Sequence, residues 1–251
     1  RHTFWRNDED RQAAQEGEDR AGEEQRDGSE QVYIRADELV GRTMKKCDND
    51  DTVLRVISDY GFNTFRYGVD LNRWLEENGY LKMKEGASRE EKYLASVDWS
   101  QTRAFAIGLT GMFLNIKGRE SQGIVDPGAE AAGLRDEIAG KLTELIDSER
   151  DTKAIKNVYN ALKVYKWPYK TEAPDLIVGY YEGYRASWDT AIGKVTDKIF
   201  HANNKAWSGD HCIDQSVVPG VLFCNRPVET ANPRLLDIGP TVLDMFGVTV
   251  P

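Results

Sequence analysis

Histidine is scarce in this chain, with only His2, His201 and His211. His211 lies in Trp207-Ser208-Gly209-Asp210-His211-Cys212-Ile213-Asp214, a polar stretch just before an apolar run around Val221. A loop imidazole flanked by carboxylates suits metal binding or proton transfer. The other reading is a loop histidine hydrogen-bonded to Asp210 or Asp214. Asp59 is the second candidate. It stands at the end of the apolar segment 52–57 and is followed by Gly61, a context that suits an exposed carboxylate on a fixed backbone. A turn-forming or capping aspartate is the alternative. His2 sits among polar residues and is uninformative by itself, and His201 reads as structural. The three cysteines, Cys47, Cys212 and Cys224, are odd in number and form no CxxC knuckle. They read as ordinary thiols rather than a disulfide framework. No GxSxG, Walker A or HExxH pattern occurs.

Several elements must position these residues. Residues 7–31 contain no large apolar side chain, so burial cannot offset their ordering entropy; residues 1–31 are expected to be a mostly disordered acidic segment. Helical spacing begins through Leu39, Val40 and Met44 over residues 35–46. Residues 52–57 predict a short buried strand. Asp70 is a plausible N-cap for a helix starting at Leu71, with Gly79 as its stop. Residues 103–107 and 112–116 predict a hairpin-like pair of strands around Gly108 and Gly111. Leu134, Ile138, Leu142 and Leu145 recur at three or four and predict an amphipathic helix over 129–148. Residues 153–164 give a helix or a strand. Residues 176–178 and 221–223 predict short buried strands. A last helix opens at Asp237, with Pro240 in its first turn and Gly247 after its end. The class is α/β.

The net charge is -9 and the pI about 5.0, which argues against a basic groove for a nucleic-acid polymer. An acidic balance still permits a phosphate ester substrate, because bound metal ions reverse the local field. No apolar stretch is long enough for a transmembrane helix. The chain begins Arg1-His2-Thr3 and ends on Pro251 after an apolar run, so it is expected to be part of a longer polypeptide. Compartment and oligomeric state stay open.

Ile57-Ser58-Asp59-Tyr60-Gly61-Phe62 resembles the Ser-Asp-His-Gly-Phe motif of the type I phosphodiesterase/nucleotide pyrophosphatase family, in the alkaline phosphatase superfamily. Further segments are similar in the same order, with the bacterial branch as the best match. They include residues 66–75 (RYGVDLNRWL), 97–105 (VDWSQTRAF), 114–120 (LNIKGRE) and 183–189 (GYRASWD). Residues 207–212 (WSGDHC), 218–223 (VPGVLF) and 237–243 (DIGPTVL) follow. The resemblance implies an alkaline-phosphatase-like mixed, mainly parallel sheet flanked by helices, truncated at its N-terminal side. Residues 32–251 would then be the C-terminal part of a catalytic domain. It also implies a hydrolase of phosphate esters, phosphodiester or nucleotide-type, with two divalent metal ions, zinc or alternatively manganese. A threonine or serine nucleophile attacks phosphorus while the metals stabilise the attacking and leaving oxygens.

Carried over by position, Asp59 matches a ligand of the metal that holds the nucleophile. His211 matches a ligand of the other metal, and His2 the histidine of an Asp-x-x-x-His pair. Tyr60 stands where the family has a histidine ligand; a neutral phenol is a much poorer zinc ligand than imidazole. Asp210 and Asp214 are neighbours that could orient His211. The nucleophile and the first aspartates are expected before Arg1. A catalytically impaired pseudoenzyme or interaction module on the same scaffold is the alternative to an active enzyme.

Overall fold

The computed structural model describes residues 19–166 and 168–249. The central strand of its larger unit is β2 (Asn63–Val69), after β1 (Arg55–Ser58) in chain order. Phe65 and Val69 of β2 are buried. Its C-terminal end runs straight into α2 (Leu71–Glu77), where the Asp70 carboxylate caps the Arg73 N–H at 2.8 Å and Gly79 takes φ 74° beyond the end. The Asn72 side chain both accepts from the Ala106 N–H (2.7 Å) and donates to the Ala106 carbonyl (2.9 Å). That pair fixes α2 to β3 (Ala104–Ala106), which forms the expected hairpin with β4 (Gly111–Leu114).

Next come α3 (Ala129–Thr143), the two-residue strands β5 (Ile146–Asp147) and β6 (Thr152–Lys153), and β7 (Ile155–Asn160). Leu134, Ile138 and Leu142 bury the inner stripe of α3, which packs on β7. The helix stops at Thr143 rather than 148, because the chain turns into the β5–β6 hairpin. The one-turn α4 (Ala161–Val164) leads to β8 (Leu176–Tyr180). Then follow β9 (Gly183–Ala186), α5 (Trp188–Ala191), β10 (Phe200–Ala202), β11 (Gly209–Asp210), β12 (Val221–Cys224) and α6 (Leu235–Met245).

One sheet has the order β10-β2-β11, with β9 also on β2; a second has the order β3-β4-β8-β7. Only β2–β9 is parallel among the registered strand pairs. The mainly parallel sheet implied by the resemblance is therefore not what the described residues form. The class itself stands, as a mixed α/β arrangement. Short connections such as 107–110 close antiparallel hairpins, whereas parallel pairing needs a long crossover. Between β2 and β9 that crossover is the whole of residues 70–182.

Residues 62–218 form one compact unit; residues 19–61 with 219–249 form another. The hydrophobic core, including Val69, Leu75, Met112, Leu114, Ile138 and Val178, lies in the first. The second contains β1 paired antiparallel with β12, together with α6 and the 28-residue α1 (Asp19–Lys46). Residues 19–31, expected as a solvated segment, belong to α1, and residues 1–18 lie outside the described residues.

Two expectations are corrected here. The strands at 52–57 and 221–223 are not buried: Ile57 and Phe223 keep 45% and 65% of their surface. A two-stranded ribbon has a neighbour on one edge only and leaves its faces accessible. α6 starts at Leu235, two residues before Asp237, so Pro240 falls beyond the first turn. The Asp237 carboxylate accepts the Arg234 N–H at 2.9 Å, which moves the cap forward.

Candidate functional site

His211 follows β11, the two-residue strand that attaches to the start of β2 through Gly209 opposite Thr64 and Asp210 opposite Asn63. Asp210 is buried, and each of its oxygens is used twice. Oδ1 accepts the N–H groups of His211 (2.7 Å) and Cys212 (3.1 Å). Oδ2 meets Arg185 Nε at 2.7 Å and accepts the Trp207 indole N–H at 3.0 Å. Burial pushes this carboxyl up. The Cys212 N–H, the Arg185 charge, the Trp207 N–H and the His211 N–H outweigh it and hold Asp210 below the ordinary aspartate value.

Arg185 comes from β9 and has no exposed surface. Its guanidinium carbon lies 4.2 Å from the ring centres of both Phe65 and Trp188. Trp188 in turn meets Trp207 edge-on at 5.7 Å. Stacking between aromatic faces lowers the cost of taking a guanidinium out of water.

The imidazole of His211 is backed by Phe62, with ring centres 6.1 Å apart. Cys212 Sγ stands 4.0 Å from His211 Nδ1. Burial, followed by the Asp210 charge, pushes the Cys212 thiol up to about 11. One ligand atom from each of Asp210, His211 and Cys212 falls within 4.8 Å of the others. The donor set decides which of these could serve a metal. Asp210 is already engaged: three N–H donors occupy its oxygens, and the Arg185 cation stands against Oδ2 where a metal would have to compete with it. His211 offers an imidazole and Cys212 a thiol, both zinc donor types. The chemistry fits zinc, but this segment supplies fewer than the three protein ligands of a catalytic centre.

Asp214 is buried too, and its bonds run elsewhere. Oδ2 accepts from Asn157 Nδ2 (2.9 Å) and the Tyr159 hydroxyl (2.8 Å), and Oδ1 from the Ser216 N–H (3.0 Å) and hydroxyl (2.5 Å). His201 is in β10, with Nε2 3.0 Å from Thr196 Oγ1 and 2.8 Å from the Lys198 carbonyl.

In the other unit, Asp59 directly follows β1 and is exposed, as is Tyr60. The Ser58 hydroxyl donates to the Tyr60 carbonyl at 2.6 Å and fixes the turn. Asp59 lines a cavity of about 290 Å³ with Ser58, Gly220, Arg234 and Ile238. His2 lies outside the described residues.

Sequence reasoning missed Arg185, Phe65, Trp188 and Trp207. The signal available was the grouping of arginine, tryptophan and aspartate in 183–189, which carried no role by itself. All three cysteines are free thiols. Among the described residues no helix is long and apolar enough to cross a membrane.

A comparison with curated proteins returned no match. The family model described as Type I phosphodiesterase / nucleotide pyrophosphatase matches residues 2–204. Asp59, Tyr60 and Arg185 fall inside that stretch, and Asp210, His211 and Cys212 follow it. The family's activity is hydrolysis of the phosphodiester type on small phosphate esters, with divalent metal dependence. With four-fifths of its length matched, the chain belongs to the type I phosphodiesterase/nucleotide pyrophosphatase family.

Proposed function

We propose that this chain carries part of a two-metal site for hydrolysing phosphodiester or nucleotide-type substrates, with zinc as the metal and manganese as its substitute. Asp59 would bind the metal that activates the nucleophile. His211 would bind the other, and His2 would contribute a further imidazole. Bound metals would neutralise the phosphate and stabilise the attacking and leaving oxygens. The residues themselves have separate tasks. The turn after β1 presents Asp59 on fixed backbone, and Asp210 orients the peptide that carries His211. The observation that carries this reading is Asp59 at the end of β1, inside the family match.

The threonine or serine nucleophile, on this reading, lies outside these 251 residues. The chain alone then gives no turnover of bis-p-nitrophenyl phosphate with zinc or manganese, and robust turnover would remove that part of the proposal. The full product of the gene gives metal-dependent turnover that Asp59→Ala and His211→Ala each abolish. Turnover indifferent to both substitutions would sink the site assignment. Tyr60, where the family has a histidine ligand, favours a second reading: a catalytically impaired protein that keeps the scaffold for binding. A full gene product without turnover that still binds zinc through His211 would select it.

A further inference from the structure

Arg185 is a costly residue at its position. A guanidinium with no exposed surface requires a counter-charge and filled donor positions. Its Nη1 donates to the Ala186 carbonyl at 2.6 Å, and its ion pair is with Asp210. Nη2 has no hydrogen-bond partner among the described residues, and Nε, 2.7 Å from Asp210 Oδ2, makes a charge contact there without hydrogen-bond geometry. A fold that needed only packing between Phe65 and Trp188 would be served by an apolar side chain, without that loss. What the charge adds is control of Asp210, whose other oxygen holds the N–H groups of His211 and Cys212.

We propose that Arg185 is a positioning residue for His211. Its ion pair locks the Asp210 carboxylate in the orientation that caps the 211–212 peptides, and so presents the imidazole to a divalent metal in one place. Trp207 supports the same carboxylate oxygen by donating its indole N–H to it. The inference rests on the reading of His211 as a metal ligand, but it adds a residue from a different strand, 26 positions away in the chain.

The test uses the 251-residue chain and two readouts: amide exchange at His211 and Cys212 by NMR, and zinc affinity by calorimetry. In Arg185→Lys both amides exchange at least about tenfold faster, while amides of β7 and β8 keep their protection. Zinc binding weakens about tenfold or more, the range found when partners of metal ligands are removed. His211→Ala weakens it as well, and the double variant is no weaker than His211→Ala alone, because Arg185 acts only through His211. Trp207→Phe keeps an aromatic ring, deletes one donor to Asp210, and shifts both readouts the same way by a smaller factor. It serves if Arg185→Lys does not fold.

Unchanged exchange at the two amides overturns the positioning role. Zinc losses that add in the double variant overturn the route through His211. Zinc affinity unaffected by His211→Ala overturns the ligand assignment under it, which the amide exchange distinguishes from failure of the Arg185 clamp.

Discussion

Asp210 and Asp214 show how a buried carboxylate is spent. Asp214 accepts four hydrogen bonds and Asp210 three plus the Arg185 ion pair, but Asp210 serves the peptide that carries His211 while Asp214 ties the loop to β7 through Asn157 and Tyr159. Burial pushes Asp214 up, and its Ser216, Asn157 and Tyr159 bonds outweigh that and hold it below the ordinary value of 3.8. A carboxyl depressed in the folded state contributes stability above its unfolded value and loses it as pH falls through the folded value. Asp214→Asn, which turns donors toward donors, is expected to cost about 2–3 kcal/mol at pH 7, in the range for buried bonds to a charged group. The difference in urea midpoint between wild type and variant shrinks below pH 4. A gap of equal size at pH 7 and pH 3 would contradict this account. At Tyr60, replacement by histidine substitutes an imidazole for a neutral phenol. Tyr60→His tightens zinc binding by calorimetry, and an unchanged affinity would count against a ligand position there.

At the scale of elements, β1 and β12 depend on a close approach. A Cβ on Gly220 would sit far inside contact distance of the Ser58 carbonyl, which is backbone and cannot swing aside. Gly220→Ala must therefore shift the ribbon, at a cost of about 1–3 kcal/mol for overpacking. The expected signature is faster amide exchange across Arg55–Ser58, with β3, β4 and α3 unaffected. Equal exchange in wild type and variant would show that the ribbon absorbs the methyl group. The same elements show why their burial was misread from sequence. Val56, Ile57, Val221 and Phe223 are apolar and β-branched or aromatic, which marks a strand, but such a run reads alike whether or not anything covers its faces.

For the whole molecule, the two units differ in how much they bury. Every buried residue described lies within 62–218, and none lies in 31–61 or 219–249. Opening free energy follows buried apolar contact, so protection is unequal along the chain. Hydrogen exchange of the intact chain is expected to leave β4, β7 and β8 as the last protected amides, with α1, β1, β12 and α6 exchanging well before them. Coincident exchange of both sets would overturn the distinction.

The sequence alone determined the features that rest on short-range physics. Asp70 as the cap of α2, Gly79 beyond its end, the 104–114 hairpin and the buried stripe of α3 all follow from turn chemistry or residue period. The ordered motifs around Asp59 were enough to indicate the family. Only the tertiary structure decided which distant strands pair. β2 takes β9 in parallel, β1 takes β12 across more than 160 residues, and Arg185 meets Asp210. Those choices depend on chain closure over long separations and on the burial that results. Neither is written in the spacing of neighbouring residues. For that reason His211 and Asp59 could be singled out as candidates from the sequence, whereas the pairing of the buried Arg185 with Asp210 emerged only from the fold.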